Sequence, residues 1–207
     1  MKKKKISILI TNFNKEKFLD ECIQSCLNQN YENLEIIIID NLSTDNSLNI
    51  IKKYSSKLLI KIRRRNSIYA PQNQIDSLIE AFNYSKGEII LLLDSDDYIQ
   101  INKVSKIINI FDNNKNVDVI FDIPNILNKG ISEALKIKKK FNNKIWPTII
   151  PTSGISLRRI FFESCLKSSL FNDHPTLEVD FRINFFSRKI LNNYKIIHEN
   201  LSFYRKT

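Results

Sequence analysis

The chain has 207 residues, 43% of them hydrophobic, and a formal net charge of +10. This length suits a single domain with a sizeable core. No apolar run reaches the length of a membrane span, and no nucleic-acid recognition motif accompanies the basic clusters at residues 2–5, 63–65 and 138–140. Each of those clusters alone reads first as a solvated face, and otherwise as a patch for polyphosphates or an anionic membrane surface. Cys22, Cys26 and Cys165 form no CxxC pair, and without a signal sequence they point to a reducing compartment. The apolar stretch at 6–10 is too short for a signal-peptide core. The expected location is therefore cytoplasmic, either free or peripheral at the inner face of the plasma membrane.

In chain order, residues 6–10 form an apolar strand closed by the polar turn Thr11-Asn12-Phe13-Asn14. Phe18, Leu19, Cys22, Ile23, Cys26 and Leu27 have helical spacing and predict a helix over 16–27. A second buried strand spans 34–39 and is closed by Asp40. The polar loop 41–46 then leads to a helix over 47–54. A third strand is read at 58–62, an irregular loop at 63–74 and a helix at 75–84. Gly87 leads into the aliphatic run Ile89-Ile90-Leu91-Leu92-Leu93, which reads as a central strand buried on both faces. This alternation of strand and helix predicts an α/β fold, a doubly wound parallel sheet flanked by helices.

The second half is less regular. A helix is expected at 104–111, a strand at 117–121 and a helix over 132–140. A proline-bearing loop follows from Trp146 to Gly154. Residues 155–170 read as a strand-to-helix unit, 179–191 as a helix, and 194–197 and 201–204 as short terminal strands. The absence of an internal repeat or linker predicts one domain over 1–207. Residues 1–100 would form its nucleotide-binding half and 101–207 the remainder of the site.

The central strand ends in Asp94-Ser95-Asp96-Asp97. Carboxylates so closely spaced repel one another unless a cation sits among them, and hard oxygen ligands suit Mg²⁺ or Mn²⁺. In open α/β sheets the ligand crevice lies at the carboxyl ends of the strands, where these acids fall. The other reading is a polar turn capping the next helix.

Three segments in this order resemble family 2 glycosyltransferases of the GT-A fold. Residues 6–14 resemble the opening strand, 35–47 the second strand and its loop, and 85–97 the metal-binding DxD element. The resemblance implies that Asp40 accepts from the imide N–H of a base and that Thr11 and Phe13 line its pocket. Asp94 would lie near the ribose and metal, Ser95 would join the nucleotide-sugar site, and Asp96, with Asp94, would hold the divalent metal, Mn²⁺ or Mg²⁺, that bridges the diphosphate. The partners implied are a UDP- or GDP-sugar donor and a glycan or lipid-linked glycan acceptor.

Inversion at a sugar carbon needs a base for the acceptor hydroxyl. Asp180 matches the family position by its spacing to Arg182, while Glu178 lies close by and Val179 stands where the family commonly has Glu. Either acid is a candidate. His174 and His198 read as surface residues, with a contact to acceptor or base as the alternative for Asp173-His174 and a third metal ligand as that for His198. The loop 66–74 lacks the family's Gly and Arg, which leaves the diphosphate contact to Arg63, Arg64, Arg65, Asn66 or Gln72. Residues 152–154 form a candidate acceptor-side loop, and Trp146 a candidate sugar-stacking ring.

The implied function is inverting, metal-dependent transfer of a sugar to a hydroxyl in the synthesis of a bacterial-type surface glycan, such as lipopolysaccharide or capsule. The alternative is a catalytically inactive nucleotide-sugar-binding module that acts with a glycan-assembly partner.

Overall fold

The computed structural model describes residues 3–128, 131–134 and 148–206. In chain order the first half forms β1 (Ile6–Asn12), α1 (Glu16–Leu27), β2 (Leu34–Asp40), α2 (Ser47–Lys52), β3 (Leu59–Ile62), α3 (Ala70–Tyr84) and β4 (Ile89–Asp94). The second half forms β5 (Tyr98–Ile99), α4 (Lys103–Asn113), β6 (Val119–Asp122), β7 (Asn125–Asn128) and β8 (Ile131–Ala134). After these come β9 (Ile155–Arg158), α5 (Arg159–Leu166), α6 (Ser169–Asn172), α7 (Val179–Phe185), β10 (Tyr194–Ile197) and β11 (Ser202–Arg205).

The main sheet has the order β10-β6-β9-β4-β1-β2-β3. Its strands are parallel except β9, which runs antiparallel to both β4 and β6. The aliphatic runs of β1 and β4 are buried along their whole length because helices cover both faces. Ile6, Ile8 and Ile10 pack toward α1, α2 and α4. Leu9, Ile90 and Leu92 pack toward α3, α5 and α7. Each fully buried Leu or Ile contributes about 1.5–3 kcal/mol. Gly87 permits the close approach of β4 to β1. A Cβ there would stand 2.4 Å from Ser7 Oγ and 2.5 Å from the Ser7 backbone nitrogen.

Several sequence expectations are corrected. Helix α3 begins at Ala70 rather than 75, since Pro71 suits a first helical turn. Asn73 ties the preceding loop by accepting from the Asn66 and Ser67 N–H groups. The expected helix over 132–140 is a strand where it is described: β8 pairs antiparallel with β7, so sheet pairing overrides the local helical preference. The rest of that segment, the 138–140 basic cluster and Trp146 lie outside the described residues. The helix expected at 179–191 is α-helical only to Phe185. It continues as a π-helical turn over Phe186–Leu191 and ends at left-handed Asn192, φ 52°.

A second sheet, β5-β11-β7-β8, is not anticipated as a sheet, although β11 falls on the terminal strand expected at 201–204. Its strands are two to four residues long, too short to show a periodic pattern. It carries the chain's last strand back to the acidic turn.

Candidate active site

The strand order reverses between β1 and β4, and the carboxyl ends of both open on one cleft of about 320 Å³. In a doubly wound sheet this is where ligands bind. Parallel pairing sets Thr11 beside Asp94 and Asn12 beside Asp40. The acidic turn is pinned through its backbone: Ser95 N–H donates to the Thr11 carbonyl, Asp97 N–H to the Asp94 carbonyl, and Asp94 N–H to Ser153 Oγ.

The acids have distinct environments. Asp94 Oδ1 accepts from Gln74 Nε2 at 2.6 Å and Thr11 Oγ1 at 3.5 Å. Burial, then the charges of Asp97, Asp96 and Asp180, push its carboxyl well above the usual range. Asp97 is fully buried and accepts from Ser153 Oγ and the Arg205 N–H. Burial outweighs those hydrogen bonds and lifts it to about 7. Asp96 faces the cleft and pairs with Lys15 Nζ at 2.5 Å. Asp180, near the start of α7, is pushed up to about 6, chiefly by burial, with Glu178 adding to the rise.

Thr11, Phe13, Asp94, Ser95, Asp96 and Glu178 all lie on the cleft wall. Asp180 is half-buried behind it and within electrostatic reach of Asp94 and Tyr204. Asp40 differs from expectation. It is fully buried, and its two oxygens accept from Asn12 Nδ2, Ser43 N–H and Ser43 Oγ. It thus sits behind the wall and fixes the loop. Asn12 takes its place on the wall, with Oδ1 buried and unpartnered among the described residues.

Asn66 is also off the wall, exposed on the loop before α3. Of the other diphosphate candidates, Arg63 and Gln72 are turned to Asp76, whereas Arg65 lies on the wall with its guanidinium 4.1 Å over the Phe13 ring. The segment expected to face an acceptor, Thr152–Gly154, is a buried 3₁₀ turn that braces the acidic turn from below. His174 and His198 are exposed and off the cleft wall.

Lys15, Gln74, Tyr204 and Arg205 also line the cleft and were not identified from the sequence. Lys15 has no distinguishing signal in a lysine-rich chain, and Gln74 falls in a stretch expected to be loop. Arg205 arrives on β11, and its guanidinium lies 4.8 Å and 5.0 Å from the ring centres of Phe18 and Tyr98. It donates to the Asp96 carbonyl and pairs with Glu21.

The acids suit a divalent cation that shares its coordination with a substrate. Among the described residues no group of three or more His, Cys, Asp or Glu is arranged to hold a metal. Asp94 and Asp96 offer two hard carboxylates, and one already draws a cationic side chain. Mg²⁺-type sites typically combine one or two carboxylates with water and substrate phosphates, and that donor set fits this turn.

A mostly parallel sheet with one reversed strand, carrying an acidic turn at its switch point, is the GT-A fold of nucleotide-sugar-dependent transferases. The chain belongs to glycosyl transferase family 2, whose family model matches residues 7–166. An uncharacterized glycosyltransferase of Nostoc sp. is 29% identical over 97% of this chain and 64% of its own length. The poly(ribitol-phosphate) beta-glucosyltransferase of Bacillus spizizenii is 34% identical over 63% of this chain and 21% of its own. The chain thus spans less than two-thirds of these relatives. Among solved structures, Staphylococcus aureus TarS 1–349 in complex with UDP superposes with a TM-score of 0.69 at 20% identity, covering 98% of this chain and 61% of that one. The Pyrobaculum calidifontis mannosyltransferase PcManGT, in complex with GDP-Man and Mn²⁺, gives 0.68 at 15% identity, covering 99% and 57%. Among the described residues no helix is long and apolar enough to cross a membrane.

Proposed function

We propose that the chain catalyses inverting, metal-dependent transfer of a sugar from a UDP- or GDP-sugar to a hydroxyl of a bacterial-type surface glycan or its lipid-linked precursor. It would act in the cytoplasm or at the inner face of the plasma membrane. The observation that carries this reading is the meeting of Asp94, Asp96 and Glu178 on one cleft wall, with Asp180 within electrostatic reach of Asp94 behind it. The relatives' names, which include poly(ribitol-phosphate) glycosyltransferases, support a polyol or glycan acceptor.

Phe13 and Thr11 would hold the base and Ser95 the ribose side, while Asp40 keeps the base loop in place through Asn12 and Ser43. Asp96 and Asp94 would hold the divalent cation, which when bound neutralises charge on the leaving diphosphate. Asp180 would take the proton of the acceptor hydroxyl. A carboxyl lifted to about 6 is ionised at neutral pH yet more basic than an ordinary aspartate. Glu178, on the wall, is the other candidate for this step.

Asp96→Ala should abolish transfer from UDP- and GDP-sugars and leave the fold intact. Unchanged turnover in that variant with metal present would remove the metal role. The second reading, a nucleotide-sugar-binding module without catalysis, draws on Val179, which is buried in the core where the family commonly has Glu. Transfer or hydrolysis of any donor in a UDP- and GDP-sugar panel would exclude it.

A further inference from the structure

Lys15 is a basic side chain on the cleft wall. Its ammonium lies 2.5 Å from Asp96 Oδ2, and the two side chains are 31% and 13% exposed. Its backbone is set by the second-strand loop. Asn14 adopts a left-handed conformation, φ 53°, its N–H donates to Ser43 Oγ, and its Oδ1 accepts from the Thr44 N–H. Lys15 N–H donates to Ser47 Oγ. The four-carbon stem above that anchor remains partly in solvent, so the ammonium can move while the main chain stays in place. Arg65 and Arg205 line the same cleft. Arg205, however, is already held by Glu21, the Asp96 carbonyl and two aromatic faces.

We infer that Lys15 is the resident counter-ion of Asp96 and an exchangeable ligand for the donor diphosphate. With the cleft empty, its ammonium neutralises the acid that a divalent cation requires. When nucleotide and cation enter together, the cation takes the carboxylate and Lys15 transfers to the phosphate oxygens. Lys15 thereby opposes the cation on its own and favours it alongside a nucleoside diphosphate, so the two bind cooperatively. The coupling is reciprocal by linkage. This inference rests on the proposed metal role of Asp96.

The test is binding, not turnover. Mn²⁺ affinity is measured by electron paramagnetic resonance of the free ion, with and without UDP or GDP, in wild type, Lys15→Met and Lys15→Arg. A partly buried ion pair of this kind accounts for about fivefold in affinity. Lys15→Met should therefore bind Mn²⁺ alone about fivefold more tightly, and its nucleotide-dependent enhancement should shrink by a similar factor. Lys15→Arg, which keeps the charge, should stay within about twofold of wild type. Unchanged or weaker Mn²⁺ binding in Lys15→Met, with cooperative binding in wild type, overturns the counter-ion role alone. If wild type binds no Mn²⁺ in the presence of either nucleotide, the metal reading of Asp96 itself is overturned.

Discussion

Lys103 Nζ lies 2.7 Å from Asp122 Oδ1, and neither side chain is exposed to solvent. The ammonium donates its hydrogen bonds elsewhere, to the Ser153 carbonyl and Ser202 Oγ, while Ser202 Oγ donates to Asp122 Oδ2. Charge therefore holds Asp122 Oδ1, and hydroxyls complete the network. Ser153 in turn donates to Asp97, so the network braces the acidic turn from beneath and ties α4 and β6 to the final strand.

Removing one partner would strand a buried charge, at a cost of about 3–5 kcal/mol. Lys103→Met should lower the melting temperature by about 2–4 °C for each kcal/mol lost. The double variant Lys103→Met/Asp122→Leu should recover part of that loss. Thermal unfolding followed by circular dichroism checks this, and equal melting temperatures for Lys103→Met and wild type would refute it.

Gly87→Ala should destabilise the protein by about 1–3 kcal/mol. Its Cβ would meet Ser7 Oγ at 2.4 Å and, less avoidably, the backbone of Ser7 and Ile6 at 2.5 and 2.8 Å. Adding Ser7→Ala should not rescue it, because the backbone contacts persist. Urea unfolding midpoints of the single and double variants give the comparison.

Transfer should depend on pH through Asp180. Its carboxyl, lifted to about 6 by burial, is protonated below that value and unable to accept a proton, so kcat should rise with pH and level off above about 7. Asp180→Asn should cost about 10²- to 10⁴-fold in kcat, whereas Glu178→Gln should retain the acidic limb. An unchanged limb in Asp180→Asn, with the limb lost in Glu178→Gln, would reverse the assignment of the base.

Phe13 lies on the cleft wall beneath the Arg65 guanidinium. Loss of its ring should weaken binding of UDP or GDP by about tenfold, in line with the worth of base–aromatic stacking. Phe13→Trp should bind as well as wild type. Calorimetric titration separates the two, and a Phe13→Ala variant of unaltered affinity would remove the ring from the base pocket.

The elements legible in the sequence were those with long, strongly patterned apolar runs. Helix α1 falls where its spacing puts it, at Glu16–Leu27. Strands β1, β2 and β4 are continuous aliphatic runs because both their faces are covered. Their polar ends marked Asp94 and Asp96, the resemblance to family 2 glycosyltransferases added Thr11, Phe13 and Ser95, and parallel pairing at the switch point brings Thr11 beside Asp94.

Tertiary structure decided what depends on partners distant in sequence. Asp40 ends its strand as expected, yet Asn12 and Ser43 take up both its oxygens, a pairing only the folded loop reveals. Strand β5 is too short to carry a period, and it forms where Tyr98 pairs with and stacks on Phe203 of β11, the terminal strand expected at 201–204. Lys15 and Arg205 reach the acids only through such contacts. Local spacing encodes which face of an element is buried, but which charges meet there is set by the packing of elements far apart in the chain.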